Sequence, residues 1–324
     1  ALSRRRLHRV LTIPAGASPG ALTVGVVGAG LMGRALAAVF AGGGHSVRLF
    51  DVSEATLAEA VASLAEYAPH VRPVGSLAEV AAGAAFVTEA VREDLSVKQA
   101  VFHELAAADS ETILATNTSV LPVTAIAAQV ARPERVVGTH WWNPPGLIPV
   151  VEVVRGHHTS TTTMDTTVQL LCSLGKLAVR VERDVPGFVG NRMQHALWRE
   201  AIAIVAEGIA DAETVDLVVR NTIGLRLAEM GPLENADFVG LDLTLAIHEA
   251  VLPAIDHRPG PSPLLRDLVA AGRLGAKSGS GFLTWEPGDR ERAGARLAAH
   301  VRSQLTDRAI RGAAESGTDP KEKA

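Results

Sequence analysis

The segment His140-Trp141-Trp142-Asn143-Pro144-Pro145 leads into an apolar run, VVEVV (150–154), whose single polar residue is Glu152. A carboxylate set inside such a run has one clear chemical use beside an imidazole. It fixes the tautomer and raises the basicity, so that the second ring nitrogen can take a hydroxyl proton. By the period of two in a strand, Val151 and Val153 point away from Glu152. The pair meets if the strand ending at His140 adjoins the one carrying Glu152. By residue type alone, a histidine at a strand end is equally suited to ordinary hydrogen bonding, and the chain holds 11 histidines.

A second constellation precedes it. The strand-like LTVGVV (22–27) is followed by Gly28-x-Gly30-x-x-Gly33, which opens a helical stretch. In that context Gly28 makes a tight turn, Gly30 lets backbone N–H groups approach a pyrophosphate, and Gly33 permits close packing of helix on strand. The next strand ends in Asp51, where a carboxylate takes the ribose hydroxyls of an adenosine and repels a 2′-phosphate. NAD is therefore expected over NADP, with Arg48 and Ser53 near enough to soften the preference. Asp51 is also suited to capping the helix that follows it.

These groups need a frame. Short β-branched runs at 22–27, 46–51, 84–90, 112–117, 135–140, 150–154 and 176–182 alternate with helical patterns at 31–41, 53–67, 94–108 and 121–130. That rhythm predicts an α/β fold, a Rossmann-type doubly wound parallel sheet. Beyond the break DVPGF no convincing strand follows, only helical patterns near 188–208, 211–221, 239–252 and 262–271, which predict an all-helical C-terminal domain. The expected division is a flexible N-terminal arm at 1–20, an NAD-binding domain at 21–184, a helical domain at 185–287, to which the resemblance given below assigns substrate binding and dimerisation, and a charged C-terminal helix with a disordered tail at 288–324. An arginine pair near the start resembles an export signal, but the apolar run after it is too short for one.

Composition narrows the function. The chain has 324 residues, 47% hydrophobic and 20% charged, with a net charge of −4. No large basic surface is available to neutralise phosphates, so a small molecule is expected as partner and a nucleic acid is not. No apolar run has the length of a membrane span. The single cysteine, Cys172, excludes an internal disulfide and a multi-cysteine metal cage. It is read as a buried packing residue, and it points to a reducing, cytoplasmic compartment; no metal is expected.

Seven ordered motifs, GVVGAGLMG (25–33), VTEAVREDLSVKQAVF (87–102), ATNTSVLPVT (115–124), GTHWWNPP with VVEVV (138–154), DVPGFVGNR (184–192), GPLENADFVGLD (231–242) and GRLGAKSGSGF (272–282), give the chain a resemblance to the L-3-hydroxyacyl-CoA dehydrogenase family. The resemblance implies that His140 is the catalytic base and Glu152 its partner, that Ser119 and Asn191 hold the substrate oxygen, and that Asn143 lies beside them. It implies a cofactor site of Gly28, Gly30, Leu31, Met32, Gly33, Asp51, Glu93, Lys98, Asn117 and Lys277. It also implies a homodimer through the helical domain. Taken singly, Ser119 suits a turn, Asn191 a helix N-cap, and Lys98 a surface pairing with Asp94 or Glu93.

Members acting on acyl-CoA commonly have Phe-Phe after the histidine and a lysine before the Val-Glu segment, where this chain has Trp141-Trp142 and Pro149. It resembles relatives that oxidise free hydroxy acids in this respect, and the segment EYAPHVRPVGSL is short for the helical hairpin that helps hold CoA. The two tryptophans suit either a pocket wall or core packing. The implied activity is NAD-dependent oxidation of an L-3-hydroxyacyl-CoA, or a related 3-hydroxy acid, to the 3-keto compound. The alternatives are a free hydroxy-acid dehydrogenase and a non-catalytic dinucleotide-binding protein; the intact Ser119, His140, Glu152 and Asn191 set argues against the last.

Overall fold

The structure is a computed structural model and describes residues 20–316. Most of the expected N-terminal arm and of the C-terminal tail lies outside the described residues. Two compact units divide after Arg192.

The first unit is built on one eight-stranded sheet. In chain order its elements are β1 (Thr23–Val27), α1 (Leu31–Gly42), β2 (Ser46–Phe50), α2 (Glu54–Ser63), β3 (Val71–Pro73), α3 (Leu77–Ala81), β4 (Phe86–Glu89), α4 (Leu95–Ala108), β5 (Ile113–Thr116), α5 (Val123–Ile126), β6 (Val136–Trp141), β7 (Val150–Val154), α6 (Thr161–Ser173) and β8 (Leu177–Val181). The strand order β3-β2-β1-β4-β5-β6-β7-β8 reverses direction at β1 and β4, the switch point where such sheets hold ligands. Every neighbouring pair is parallel except β6 and β7. A short loop therefore suffices between those two, where a parallel pair needs a crossover.

Two apolar clusters cover the sheet's faces. One joins α1 and α6 to it through Leu36, Phe40, Trp141 and Leu171. The other gathers Val80, Phe102, Ile126 and Phe188. The helices start where short polar side chains can accept their first amides: Ser53 from Thr56, Ser76 from Glu79, Asp94 from Val97, and Ser160 from Thr163. Helix α1 differs, since Gly30 caps it without a side-chain bond and leaves its first amides uncommitted to any cap.

Sequence expectation and structure part in a few places. The helix expected at 53–67 ends at Ser63 and continues as a 3₁₀ turn, Ala65–Tyr67; the one expected at 121–130 is α5 followed by a 3₁₀ turn, Ala127–Gln129. The short β3 and α3 carry too few residues for a readable period. Cys172 is half-buried on α6 rather than a core residue. Trp141 packs in the core, 3% exposed.

The second unit begins within α7 (Gly190–Ala206). It continues with α8 (Ala212–Asn221), α9 (Ile223–Leu227), α10 (Pro232–Val239), α11 (Leu241–Val251), α12 (Pro263–Ala270) and α13 (Asp289–Ser316). Its only described β-structure is a pair of isolated bridges, Gly275 with Ser280 and Ser280 with Thr284.

Gly33 meets the sheet so closely that a Cβ there would stand 1.6 Å from the Gly28 carbonyl oxygen. No rotamer relieves a clash with backbone. Gly33→Ala should therefore lower stability by at least ~1–3 kcal/mol, read as a shift of the urea midpoint.

Candidate active site

The antiparallel register of β6 and β7 places His140 directly opposite Glu152. Residues directly opposed across such a pair have their Cβ atoms within reach of one bond between polar side chains. Here His140 Nδ1 and Glu152 Oε2 are 2.7 Å apart, and both residues are at most 3% exposed. Val151 and Val153 alternate into the core. The other carboxylate oxygen, Oε1, accepts from the backbone N–H groups of Val189 (2.9 Å) and Gly190 (3.0 Å) at the start of α7. Burial alone raises the Glu152 pKa, but the bonds from His140, Gly190 and Val189 outweigh it and hold the carboxyl below its ordinary value of 4.5.

With Nδ1 engaged, the proton on that nitrogen leaves Nε2 as the basic one, and Nε2 bonds to nothing among the described residues. The imidazole is walled by aromatic rings, Trp142 at 5.0 Å and Phe188 at 5.8 Å between centroids. Phe188 adopts φ 48°, a left-handed conformation costly for a non-glycine residue, within the turn whose next amides reach Glu152. A Cβ on Gly190 would lie 2.3 Å from the Trp142 ring, so this glycine is what lets α7 approach the histidine.

Ser119 and Asn191 come together as well. The Asn191 side-chain amide donates to the Ser119 carbonyl at 3.0 Å and does not cap α7, which already begins at Gly190. The Ser119 N–H donates to Glu93 at 3.0 Å, while its hydroxyl bonds to nothing among the described residues. Asn117 accepts from the Trp141 N–H at 3.0 Å and so ties the Ser119 loop to the histidine strand. Asn143 is exposed in the loop after the histidine. That loop is pinned by the buried Lys176, which donates to the carbonyls of Pro145 and Ile148 and sits 5.8 Å from the centroid of the Trp141 ring; burial pushes the Lys176 pKa down.

At the switch point, Gly28 takes φ 93° and its loop turns under the first amides of α1. Asp51 does two things, accepting from the Ala29 N–H at 2.7 Å and from the Ser53 N–H at 2.8 Å. It holds the glycine loop and caps the turn after β2, and each oxygen keeps a lone pair for another donor. A Cβ on Gly30 would meet nothing within 4 Å, which leaves open space in front of the helix. Uncapped amides, that space and a carboxylate at the end of β2 suit a dinucleotide. Arg48 is committed elsewhere, to the carbonyls of Glu79 and Ala82. Leu31 is exposed beside this space, and Met32 packs against the core.

Lys98 is no surface residue. It is 1% exposed, with its ammonium 2.6 Å from Glu89 and 3.3 Å from Glu93. Glu89, the last residue of β4, was not among the expected site residues. Its signal is of the same kind as that of Glu152, a carboxylate within a buried strand. Lys277 is exposed in the second unit, in the loop stitched by the Gly275–Ser280 bridge.

Comparison with known proteins agrees with this architecture. Residues 23–185 match the NAD-binding domain of 3-hydroxyacyl-CoA dehydrogenase, and residues 187–285 match its C-terminal domain. The chain belongs to the 3-hydroxyacyl-CoA dehydrogenase family. It is 40% identical over 280 residues to a probable 3-hydroxybutyryl-CoA dehydrogenase of Bacillus subtilis, covering 81% of this chain and 96% of the relative. It is 35% identical over 280 residues to 5-formyl-3-hydroxy-2-methylpyridine 4-carboxylate 5-dehydrogenase of Mesorhizobium japonicum, covering 82% and 91%. A crystal structure of a dehydrogenase of that last name, described as an NAD+-dependent dismutase, superposes with a TM-score of 0.83 at 32% identity, covering 90% of this chain and 99% of the other.

A carboxyl whose folded pKa is depressed stabilises the fold above its unfolded pKa and loses that contribution as pH falls through the folded value. In acid, the stability gap between the wild type and Glu152→Gln should therefore close progressively below pH 4.5. Urea midpoints measured through that range check it; a gap independent of pH would contradict the assignment of Glu152 as the charged partner.

Proposed function

We propose that the protein is an NAD-dependent dehydrogenase that interconverts an L-3-hydroxyacyl-CoA, or a related 3-hydroxy acid, with its 3-keto counterpart. The observation that carries this reading is the buried His140–Glu152 pair with Nε2 left free. His140 takes the hydroxyl proton of the substrate in oxidation and returns it in reduction. Glu152 holds the ring and stabilises the imidazolium that forms. The Ser119 hydroxyl and the Asn191 amide are uncharged donors, which polarise a ketone without trapping the alkoxide as a salt and so suit a reversible reaction. Phe188 and Trp142 keep water from the imidazole.

Gly28, Gly30, Leu31, Met32, Gly33 and Asp51 hold the dinucleotide in this reading, with Glu93, Lys98, Asn117 and Lys277 lining it. The bound NAD supplies the hydride acceptor. The engaged Arg48 and the carboxylate of Asp51 favour NAD over NADP. Asp51→Ala should raise the NADP-to-NAD ratio of kcat/KM by ~10-fold or more.

One observation favours a free acid in place of the CoA ester. Between β2 and β3 the chain has only the ten-residue α2 and one 3₁₀ turn, without a helical hairpin to grip an adenosine phosphate. A homodimer is supported by the second unit, where α8 to α11 contain no buried residue and expose Leu217, Phe238, Leu241, Leu245 and Ile247. Light scattering should return twice the 33.8 kDa of the chain. A cytoplasmic location is supported by the single cysteine. Among the described residues no helix is long and apolar enough to cross a membrane.

The deciding experiment follows NAD reduction with L-3-hydroxybutyryl-CoA and a panel of free 3-hydroxy acids. Turnover of the thioester supports the first reading, turnover of a free acid alone supports the second, and silence on both overturns the enzyme assignment for 3-hydroxy substrates. With the active substrate, Glu152→Gln should lower kcat by ~10²-fold or more and leave NAD affinity unchanged. The glutamine keeps an oxygen for the Val189 and Gly190 amides, but its NH₂ group donates to Nδ1 and moves the ring proton to Nε2, where it blocks the base. Unaltered turnover would sink the role given to Glu152.

A further inference from the structure

Glu89, Lys98 and Glu93 form a cluster that the proton chemistry does not use, with Glu89 and Lys98 buried and Glu93 exposed at its outer end. Glu89 is fully enclosed at the end of β4, between Val27 of β1 and Thr116 of β5. Its Oε1 takes the Lys98 ammonium at 2.6 Å and the Val91 N–H at 2.7 Å; its Oε2 takes the Thr116 hydroxyl at 2.8 Å. Lys98 in turn holds Glu93 Oε2 at 3.3 Å. That leaves Glu93 Oε1 facing the loop after β5, where it accepts from the Thr118 hydroxyl and from the N–H groups of Ser119 at 3.0 Å and Val120 at 3.2 Å. Burial raises the Glu93 pKa, but the Thr118 hydroxyl, the Lys98 charge and these amides more than offset it, so the carboxyl is held below its ordinary range.

An ammonium enclosed between two carboxylates has little freedom, and Lys98 is 1% exposed. It holds Glu93 by Oε2, and Oε1 of the same carboxylate is the atom that meets the loop. The orientation of the Ser119 backbone is thereby set from the floor of the sheet.

We propose that Glu89, through Lys98 and Glu93, is the positioning residue for Ser119, and so for the hydroxyl that meets the substrate oxygen. The inference rests on the reading of Ser119 given above. Without the Glu89 charge, Lys98 draws Glu93 inward as its sole carboxylate partner, and the loop loses its acceptor. A displacement of about 1 Å at a reacting group costs on the order of 10²-fold in rate.

The test is a double-mutant cycle in the full chain, using NAD and the panel substrate with the highest kcat/KM. Ser119→Ala alone tests the underlying reading: an unchanged kcat would remove Ser119 from the site, and this inference with it. Given a defect there, Glu89→Gln should lower kcat by ~10- to 100-fold with the KM for NAD within about threefold. In the Ser119→Ala background the same change should cost less than about threefold, because the group it positions is already gone. Full multiplication of the two defects would overturn the proposal, since a general structural role acts whether or not the hydroxyl is present. A rise in the KM for NAD with kcat preserved would overturn it too, because Glu89 would then act through Lys98 and Glu93 on the dinucleotide they line and not on Ser119. If Glu89→Gln does not fold, Thr116→Val removes one donor to Glu89 and the same cycle applies, with a smaller defect that must again vanish in Ser119→Ala.

Discussion

One carboxylate carries two burdens in this molecule, and its two oxygens divide them. Glu152 Oε2 holds the imidazole of His140, while Oε1 holds the first free amides of α7. A buried carboxylate is tolerated only when such donors replace the water it has lost. The position of the imidazole and the turn into α7 are thus both tied to a single side chain. The strand reversal at β7 makes this possible, because it brings position 152 beside position 140 with a short connection.

From that carboxylate the contacts close into a ring. The turn that donates to Glu152 also carries Asn191, whose amide holds the Ser119 carbonyl. The Ser119 amide leads to Glu93, then Lys98 and Glu89. The Glu89 carbonyl accepts from the Asn117 N–H, and Asn117 accepts from the N–H of Trp141, the neighbour of His140. Each functional group is held from two sides by polar bonds inside an apolar frame. Low local dielectric strengthens such a closed set and penalises any member left unpaired. It also explains how polar groups are buried at the carboxyl ends of β4, β5 and β6 and at Glu152 beside them on the antiparallel β7, where a sheet of this type would otherwise be lined with valine.

Period and punctuation carried most of the sheet and the chemistry into the sequence. The glycine pattern after β1 and a glutamate inside VVEVV are local signals, and each has a physical cause visible within a few residues. The elements that were not legible are short or depend on distant partners. Strand β3 has three residues and α3 has five, too few for a period. The burial of Lys98 follows from carboxylates on either side of it, one at the end of a strand and one before the helix, so by its spacing to Asp94 alone it looked like a surface pair. Cys172 shows the opposite error, an apolar residue on a helix face that the fold leaves half open.

The side chains proposed for proton transfer and oxygen binding all precede Arg192, on strands, a loop and the first turn of α7. The loop from Asn143 to Pro149 follows the histidine strand and is braced by Lys176, at the place where the sequence departs from acyl-CoA members of the family. The proposed proton chemistry and the departures from acyl-CoA members thus lie on different parts of the chain. A braced loop can change its residues without moving His140, because its anchor is a backbone carbonyl contact that tolerates many side chains. That separation offers a physical reason why relatives named for a CoA ester and for a pyridine carboxylate are both more than a third identical to this chain over the aligned residues.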